Sequence, residues 1–165
     1  MIPALSVIMP IYNVEPYIGK AIESVLHQTF ENFEFIIIDD GSTDKTYDII
    51  SAYHDKRIII IRNQINKGLA KCLNQGFLIA KAEYIIRMDG DDIYKPERFS
   101  KQIQFMLEHP NLGISGTYMD LIDEHGKLLG KQQKPVGSKN IMIKLFLGNT
   151  SLAHPSIYSQ KKAVG

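Results

Sequence analysis

Three carboxylates fall within four positions at Asp89-Gly-Asp-Asp92, directly after the apolar run Tyr84-Ile-Ile-Arg-Met88. Like charges at this spacing repel one another, so a fold that gathers them calls for a cation to neutralise them. Every donor atom is an oxygen, a set that suits hard ions such as Mg2+ or Mn2+ and argues against zinc or copper. Two carboxylates leave most of the coordination sphere open. An ion held there binds weakly alone and firmly once phosphate oxygens complete its shell. A second acidic segment, Asp39-Asp-Gly-Ser-Thr-Asp44, follows the apolar run from Phe33, and Pro10-Ile-Tyr-Asn13 closes a third run that begins at Leu5.

The elements that must position these residues alternate along the chain. Leu5 to Ile11, Phe33 to Ile38, Arg57 to Arg62 and Tyr84 to Met88 have the length and β-branched content of buried strands. Between them, helical spacing runs through Tyr17, Ile18, Ala21, Ile22, Val25 and Leu26, then Tyr47, Ile50 and Tyr53, then Leu69, Leu73, Phe77 and Ala80. A fourth stripe, Phe99, Ile103 and Leu107, ends before His109-Pro110, with Pro96 suited to a first helical turn. Gly41 permits a tight turn, and Ser42 or Thr43 is the expected cap of the second helix. Gly76 lowers the helix propensity of the third. Strands alternating with helices imply parallel pairing and right-handed crossovers, hence an open α/β sheet.

After Pro110 the pattern is less regular. Leu112 to Met119 reads as a strand, Glu124-His-Gly-Lys127 as a hairpin turn, Ile141 to Leu147 as a helix capped by Ser138, and Ala153 to Tyr158 as a last strand. The expected division is residues 1–110 as a ligand-binding α/β half and 111–165 as the start of a second, truncated half, within one structural domain.

In a parallel open sheet each strand delivers its following loop to the same edge, where ligands bind. That edge collects Pro10 to Asn13, Asp39 to Asp44, Asn63 to Gly68 and Asp89 to Asp92. No Gly-x-Gly-x-x-Gly follows the first strand and no Gly-Lys-Ser or Gly-Lys-Thr occurs, which excludes a dinucleotide fold and a P-loop. Tyr12 stands there instead, either as a ring that stacks on a base or as a core tyrosine with its hydroxyl satisfied.

Bulk composition narrows the partners. Net charge is +1, so no overall field selects nucleic acid or membrane, and the basic residues lack an aromatic-interleaved stripe. From His125 to Gly165 there are seven lysines and no acid. Cys72 is the single cysteine, which rules out an internal disulfide and a cysteine zinc cluster and fits a reducing compartment. No apolar run approaches the roughly 20 residues of a membrane span, and the first residues do not read as a signal peptide.

Ser6-Val-Ile-Met-Pro-Ile-Tyr-Asn13, Ser24-Val-Leu-His-Gln-Thr29, Ile36-Ile-Ile-Asp-Asp-Gly-Ser-Thr-Asp44 and Arg87-Met-Asp-Gly-Asp-Asp92 together resemble the family 2 glycosyltransferases. Asn66-Lys-Gly-Leu69, Pro96-Glu-Arg98 and His154-Pro-Ser156 continue the resemblance in order, so it covers almost the whole chain. It implies a GT-A fold and inverting transfer of a sugar from a nucleotide-diphospho-sugar, UDP being the commonest nucleotide, to a carbohydrate or lipid-linked acceptor. By the same resemblance Pro10 and Tyr12 contact the nucleobase and Asp40 accepts its N–H, while Asp39 shapes the loop or shares that contact. Asp89 reaches the ribose or the metal, Asp91 ligates Mn2+ or Mg2+, and His154 lies on the acceptor side or is a satisfied histidine. Asp92 has no family role and reads as a structural or capping acid. Lys67 reads as a solvated lysine, with phosphate neutralisation as the alternative.

Inverting displacement needs a general base on the acceptor hydroxyl, in the family an Asp or Glu after the His-Pro-Ser-like segment. No acid follows Glu124 here, so the base is expected beyond Gly165 and this chain is expected to bind donor more readily than transfer it. Apolar surface near Phe146 and Leu147 would then favour a homodimer. The expected location is the cytoplasm, including the inner face of a membrane. Two other readings stand beside this one: a non-catalytic nucleotide-binding module, and a phosphohydrolase with Asp89 as nucleophile and Asp91 as acid.

Overall fold

The computed structural model describes residues 2–132 and the strand at 158–160. Strands β1 (Leu5–Ile11) and β2 (Phe33–Asp39) are buried at every position, which is why both read as near-continuous apolar runs. They pair in parallel from Leu5 opposite Phe33 to Ile11 opposite Asp39, so their C-terminal tips lie level. Strand β3 (Ile58–Arg62) flanks β2 and β4 (Tyr84–Arg87) flanks β1, both parallel. Two short strands, β5 (Ile114–Ser115) and β8 (Tyr158–Gln160), extend the sheet beyond β4, with β8 antiparallel to both neighbours. The full order is β3-β2-β1-β4-β8-β5.

Alternation along the strands feeds two cores. Leu5, Val7, Met9 and Ile11 of β1 join Phe33, Phe35 and Ile37 of β2 on one face. Helices α1 (Ile18–Leu26), α2 (Thr46–Ser51) and α4 (Arg98–Glu108) cover that face with Ile22, Val25, Ile50, Phe99 and Met106. Ile8, Ile36, Ile38 and Ile85 point the other way and meet Cys72 and Ala80 at α3 (Leu69–Ile79). Gly76 lets α3 lie close to the sheet: a Cβ there would overlap Ile8 Cγ2 and stand 3.2 Å from Ile38 Cδ1. Close packing offsets the propensity that glycine loses in a helix.

The chain runs β1, β2, β3 in one direction across the sheet, then returns past β1 to lay down β4 on the far side. The loops after β1 and β4 therefore lie side by side at the C-terminal edge of the sheet, the edge at which open α/β sheets bind ligands.

Two expectations are corrected. The strand over Leu112 to Met119 is broken into β5 and β6 (Met119–Ile122), with Gly113 and Gly116 on either side of the two-residue β5. Glycines weaken a strand interior, and β6 turns away to pair with β7 (Leu128–Gln132) across Gly126, whose φ is +82°. Neither Ser42 nor Thr43 caps α2, which starts at Thr46 with no side-chain cap bond. The helix expected at 141–147, His154, and the apolar surface at Phe146 and Leu147 lie outside the described residues. No helix of the described residues is long and apolar enough to cross a membrane.

Candidate nucleotide-sugar site

The tips of β1 and β2 are stitched together by side chains about thirty positions apart in the chain. Asn13, at φ +51°, donates its N–H to Ser42 Oγ (3.0 Å), while Asn13 Oδ1 accepts the Thr43 N–H (2.8 Å). Val14 N–H reaches Thr46 Oγ1 (2.9 Å), and Glu15 N–H reaches Asp44 Oδ2 (3.1 Å). Serine and threonine that looked like helix caps are spent on the neighbouring loop. The result is a fixed platform from which Tyr12 projects with 45% of its surface exposed, whereas Pro10 beneath it is buried. Tyr12 is therefore not a core tyrosine.

Asp39 and Asp40 face opposite ways, as neighbours at a strand end must. Asp39 is fully buried on the α1–α2 side, where Oδ1 accepts the Ser42 N–H at 3.0 Å. Arg62 Nε lies 3.3 Å from Oδ2, an ion pair whose alignment does not make a hydrogen bond, and its guanidinium sits over the Tyr47 ring at 3.9 Å. Asp39 thus holds the loop and is covered from solvent.

Asp40 turns toward α3. Its Oδ1 accepts Asn63 Nδ2 (2.8 Å) and the Lys67 N–H (3.0 Å); its Oδ2 accepts Gly68 N–H (2.8 Å) and shares the same Lys67 N–H (3.0 Å). Burial opposes ionisation here, but hydrogen bonds from Lys67, Asn63, Cys72 and Gly68 together outweigh it and hold the carboxyl below its ordinary range. The carboxylate also affects Cys72: burial first, then the bond and charge of Asp40, push that thiol up to about 12. Lys67 is not simply solvated, because its Nζ donates to Asn63 Oδ1 at 2.9 Å.

On the other side of β1, Asp89 is gripped by Arg87, Nη2 to Oδ1 at 2.8 Å. Asp91 is exposed at the loop tip. Asp92 is half-buried, and its carboxyl is pushed up to about 6 by burial first and by the charges of Asp89 and Asp91 next, against the opposing Arg98 and Arg87. Arg87 and Arg98 offset only part of that crowding, and Asp89 and Asp91 are the oxygen donors that could hold a cation there. Among the described residues no group of three acids, histidines or cysteines converges as a metal site.

Gly90 joins the two halves. A Cβ on it would stand 2.6 Å from Ile11 Cγ2 and 3.2 Å from Val14 Cγ2, so the acidic loop lies directly against the base of the Tyr12 loop. Asp40 follows β2 and Asp89 follows β4, with β1 between them, a separation of two strand spacings or about 10 Å. That distance suits a base at one end and a diphosphate at the other. A groove of about 540 Å³ between α1 and Ile93–Tyr94, lined by Lys20, Glu23 and His27, contains none of these residues.

Asn63 is legible in the sequence only as the first residue of its loop, and its partner Gln75 not at all. The signal that could have found them is polar character just after a strand and on the buried side of an amphipathic helix.

Residues 6–161 match the glycosyl transferase family 2 model, and the chain belongs to that family. It is 37% identical to the uncharacterized glycosyltransferase MJ1057 of Methanocaldococcus jannaschii over 97% of this chain and 57% of that protein. It is 45% identical to the UDP-Glc:alpha-D-GlcNAc-diphosphoundecaprenol beta-1,3-glucosyltransferase WfaP of Escherichia coli, over 62% of this chain and 41% of that one. Among solved structures, S. aureus TarS 1–349 superposes with a TM-score of 0.70 at 25% identity, over 95% of this chain and 47% of TarS. The same protein in complex with UDP-GlcNAc matches at 0.62 and 32% identity, over 67% of this chain and 32% of that one. The fold is GT-A. The chain spans about half the length of the curated relatives it matches.

Proposed function

We propose that this chain is the donor-binding part of a glycosyltransferase that takes a UDP-sugar with a divalent ion and passes the sugar, with inversion, to a carbohydrate or lipid-linked hydroxyl. The observation that carries the reading is that exposed Tyr12, buried Asp40 and the Asp89–Asp92 loop follow neighbouring parallel strands at one sheet edge, with Gly90 of the acidic loop packed against the base of the Tyr12 loop.

In this reading Tyr12 stacks on the base above Pro10. Asp40 takes the base N–H: the Lys67 N–H, now shared between both oxygens, settles on one and releases a single lone pair. Asp39 supports the loop from beneath. Asp89, oriented by Arg87, faces the ribose or metal, and Asp91 ligates Mg2+ or Mn2+. A bound divalent ion would neutralise charge building on the departing diphosphate. Residues 1–110 form the donor half, residues from 111 open the acceptor half, and His154 belongs to the acceptor side. UDP is favoured by the relatives, since TarS has been solved with UDP and with UDP-GlcNAc, and WfaP is named for UDP-Glc.

Isothermal titration of UDP with and without Mn2+ tests this. The expected result is binding that strengthens with the ion, and Asp91→Ala removes the ion-dependent part while leaving the fold intact. Ion-independent binding, or an Asp91→Ala variant with full ion dependence, would refute the assignment of the acidic loop.

A further inference from the structure

Both limbs of the acidic loop are tied down from behind. On the outgoing limb Arg87 ends β4, and its Nη2 holds Asp89 Oδ1 at 2.8 Å. On the return limb Tyr94 donates its hydroxyl to the Arg87 carbonyl at 2.7 Å, closing residues 87–94 into a ring that contains all three acids. The phenol that makes this bond is fixed on both sides. It is buried, stands edge-on to Phe99 at 5.9 Å, and has the Arg98 guanidinium 3.8 Å from its ring centre. Helix α1 supplies the outer anchor. Ser24 Oγ donates to the Ala21 carbonyl at 2.7 Å, which turns its lone pairs to the Tyr94 N–H at 3.0 Å. Four residues on, and so on the same face of the helix, buried Gln28 gives both ends of its amide to the same segment. Its Nε2 donates to the Lys95 carbonyl (2.8 Å) and its Oε1 accepts the Phe99 N–H (3.0 Å).

We propose that Tyr94, with Ser24 behind it, is a positioning residue for the divalent ion: the pair holds the neck of the acidic loop closed so that Asp89 and Asp91 stay within reach of one cation. The inference rests on the reading of that loop as the ion site. Its physics is the repulsion among Asp89, Asp91 and Asp92. Three carboxylates within four positions push the loop open, and the hydrogen bonds at its neck oppose that opening. A loop held narrow before the ion arrives has less chain left to order on binding, so the neck bonds are felt as ion affinity. Arg87 gives the tie a second effect. The residue whose carbonyl Tyr94 grips is also the one that aims a guanidinium at Asp89, so releasing the carbonyl loosens Asp89 as well.

The test pairs Mn2+ titrations of the UDP-saturated chain with UDP titrations in the absence of the ion, on wild type, Tyr94→Phe, Ser24→Ala and Ser24→Thr. Ile50→Val, in the buried core at α2, serves as a variant that loses packing away from the loop. Tyr94→Phe keeps the ring between Phe99 and Arg98 and removes one oxygen. It should weaken Mn2+ about tenfold, as expected of a hydrogen bond one layer behind a metal ligand, and leave ion-free UDP binding as in wild type. Ser24 is half-buried on a helix, where alanine is well tolerated, so the fold of Ser24→Ala is not at issue. That variant should weaken Mn2+ in the same direction, while Ser24→Thr, which keeps the hydroxyl, should bind Mn2+ like wild type. Ile50→Val should melt earlier with its Mn2+ affinity unchanged. Mn2+ affinity that survives both Tyr94→Phe and Ser24→Ala, or that falls equally in Ile50→Val, overturns the positioning role while the ion site stands. A wild type whose UDP binding ignores Mn2+ overturns the ion-site reading and this inference with it.

Discussion

Replacing Gly90 by alanine probes the contact on which the whole site is assembled. Gly90 is buried and its φ is not in the left-handed region, so alanine is conformationally acceptable and the penalty is steric. The added methyl would start 2.6 Å from Ile11 Cγ2, where carbon atoms normally rest at about 3.5–4 Å. The acidic loop or the Tyr12 loop must therefore move by about 1 Å, and Ile11, 3% exposed in a packed core, has no free space to yield. Overpacking of this kind costs about 1–3 kcal/mol. For a chain of this size that is a fall of about 2–12 °C in melting temperature. A displacement of this size between ligand-holding loops should also weaken UDP–Mn2+ binding by about tenfold, since positioning errors near 1 Å are costly at such sites. The cause is separable by a double-mutant cycle: in an Ile11→Ala background the clash partner is gone, so Gly90→Ala should destabilise less there than in wild type. Gly68→Ala is the useful contrast. Nothing lies within 4 Å of its Cβ, yet its φ is +87°, so its penalty of about 1–3 kcal/mol is backbone strain alone. If Gly90→Ala melts and binds like wild type, or loses equal stability with and without Ile11, the loop-contact argument is wrong.

Other expectations concern single groups. Asp40 is held below its ordinary range, so its contribution is complete above the unfolded aspartate pKa of about 3.9 and fades as pH drops through the folded value. Asp40→Asn should flatten that acid limb in urea titrations between pH 3 and 7, and at pH 7 lose about 1–3 kcal/mol through the strained donors of Lys67 and Gly68; an unchanged acid limb would contradict the bonding described. Cys72, buried with its thiol pushed up to about 12, should resist a thiol reagent at pH 8 until the protein unfolds, and rapid native labelling would place it elsewhere. Tyr12→Ala should weaken UDP by about 1–3 kcal/mol with little effect on melting, because the ring is exposed and carries no core packing; melting that falls steeply would return Tyr12 to a structural role.

How far the sequence carried these conclusions depends on the range of the interactions involved. Buried strands β1 and β2 were plain from their runs of Ile, Val and Phe, and the loop edge followed from alternation with helices. Strand parity even contained the split between Asp39 and Asp40, since Ile37 and Ile38 already point to different cores. Bonds across 29 or 30 positions were not legible: Ser42 and Thr43 look like caps in isolation and become cross-loop ties only once Asn13 is folded beside them. The same is true of Lys67, whose acceptor Asn63 is oriented by Asp40 and by Gln75, which arrives from α3. The strand broken at β5 failed for a different reason, as two glycines in a weak apolar run let tertiary pairing choose the boundaries.

Because β1 stands between the strand that ends in Asp40 and the strand that leads to Asp89, the two ends of the cleft are furnished by separate stretches of polypeptide. On the proposed reading, substitutions beside Asp40 act on the heterocycle's end of the cleft and substitutions at Asp91 act on the acidic tip. Gly90, packed against Ile11 and Val14, ties the two to a common fate. An architecture divided this way lets one scaffold diversify its donors in small, independent steps.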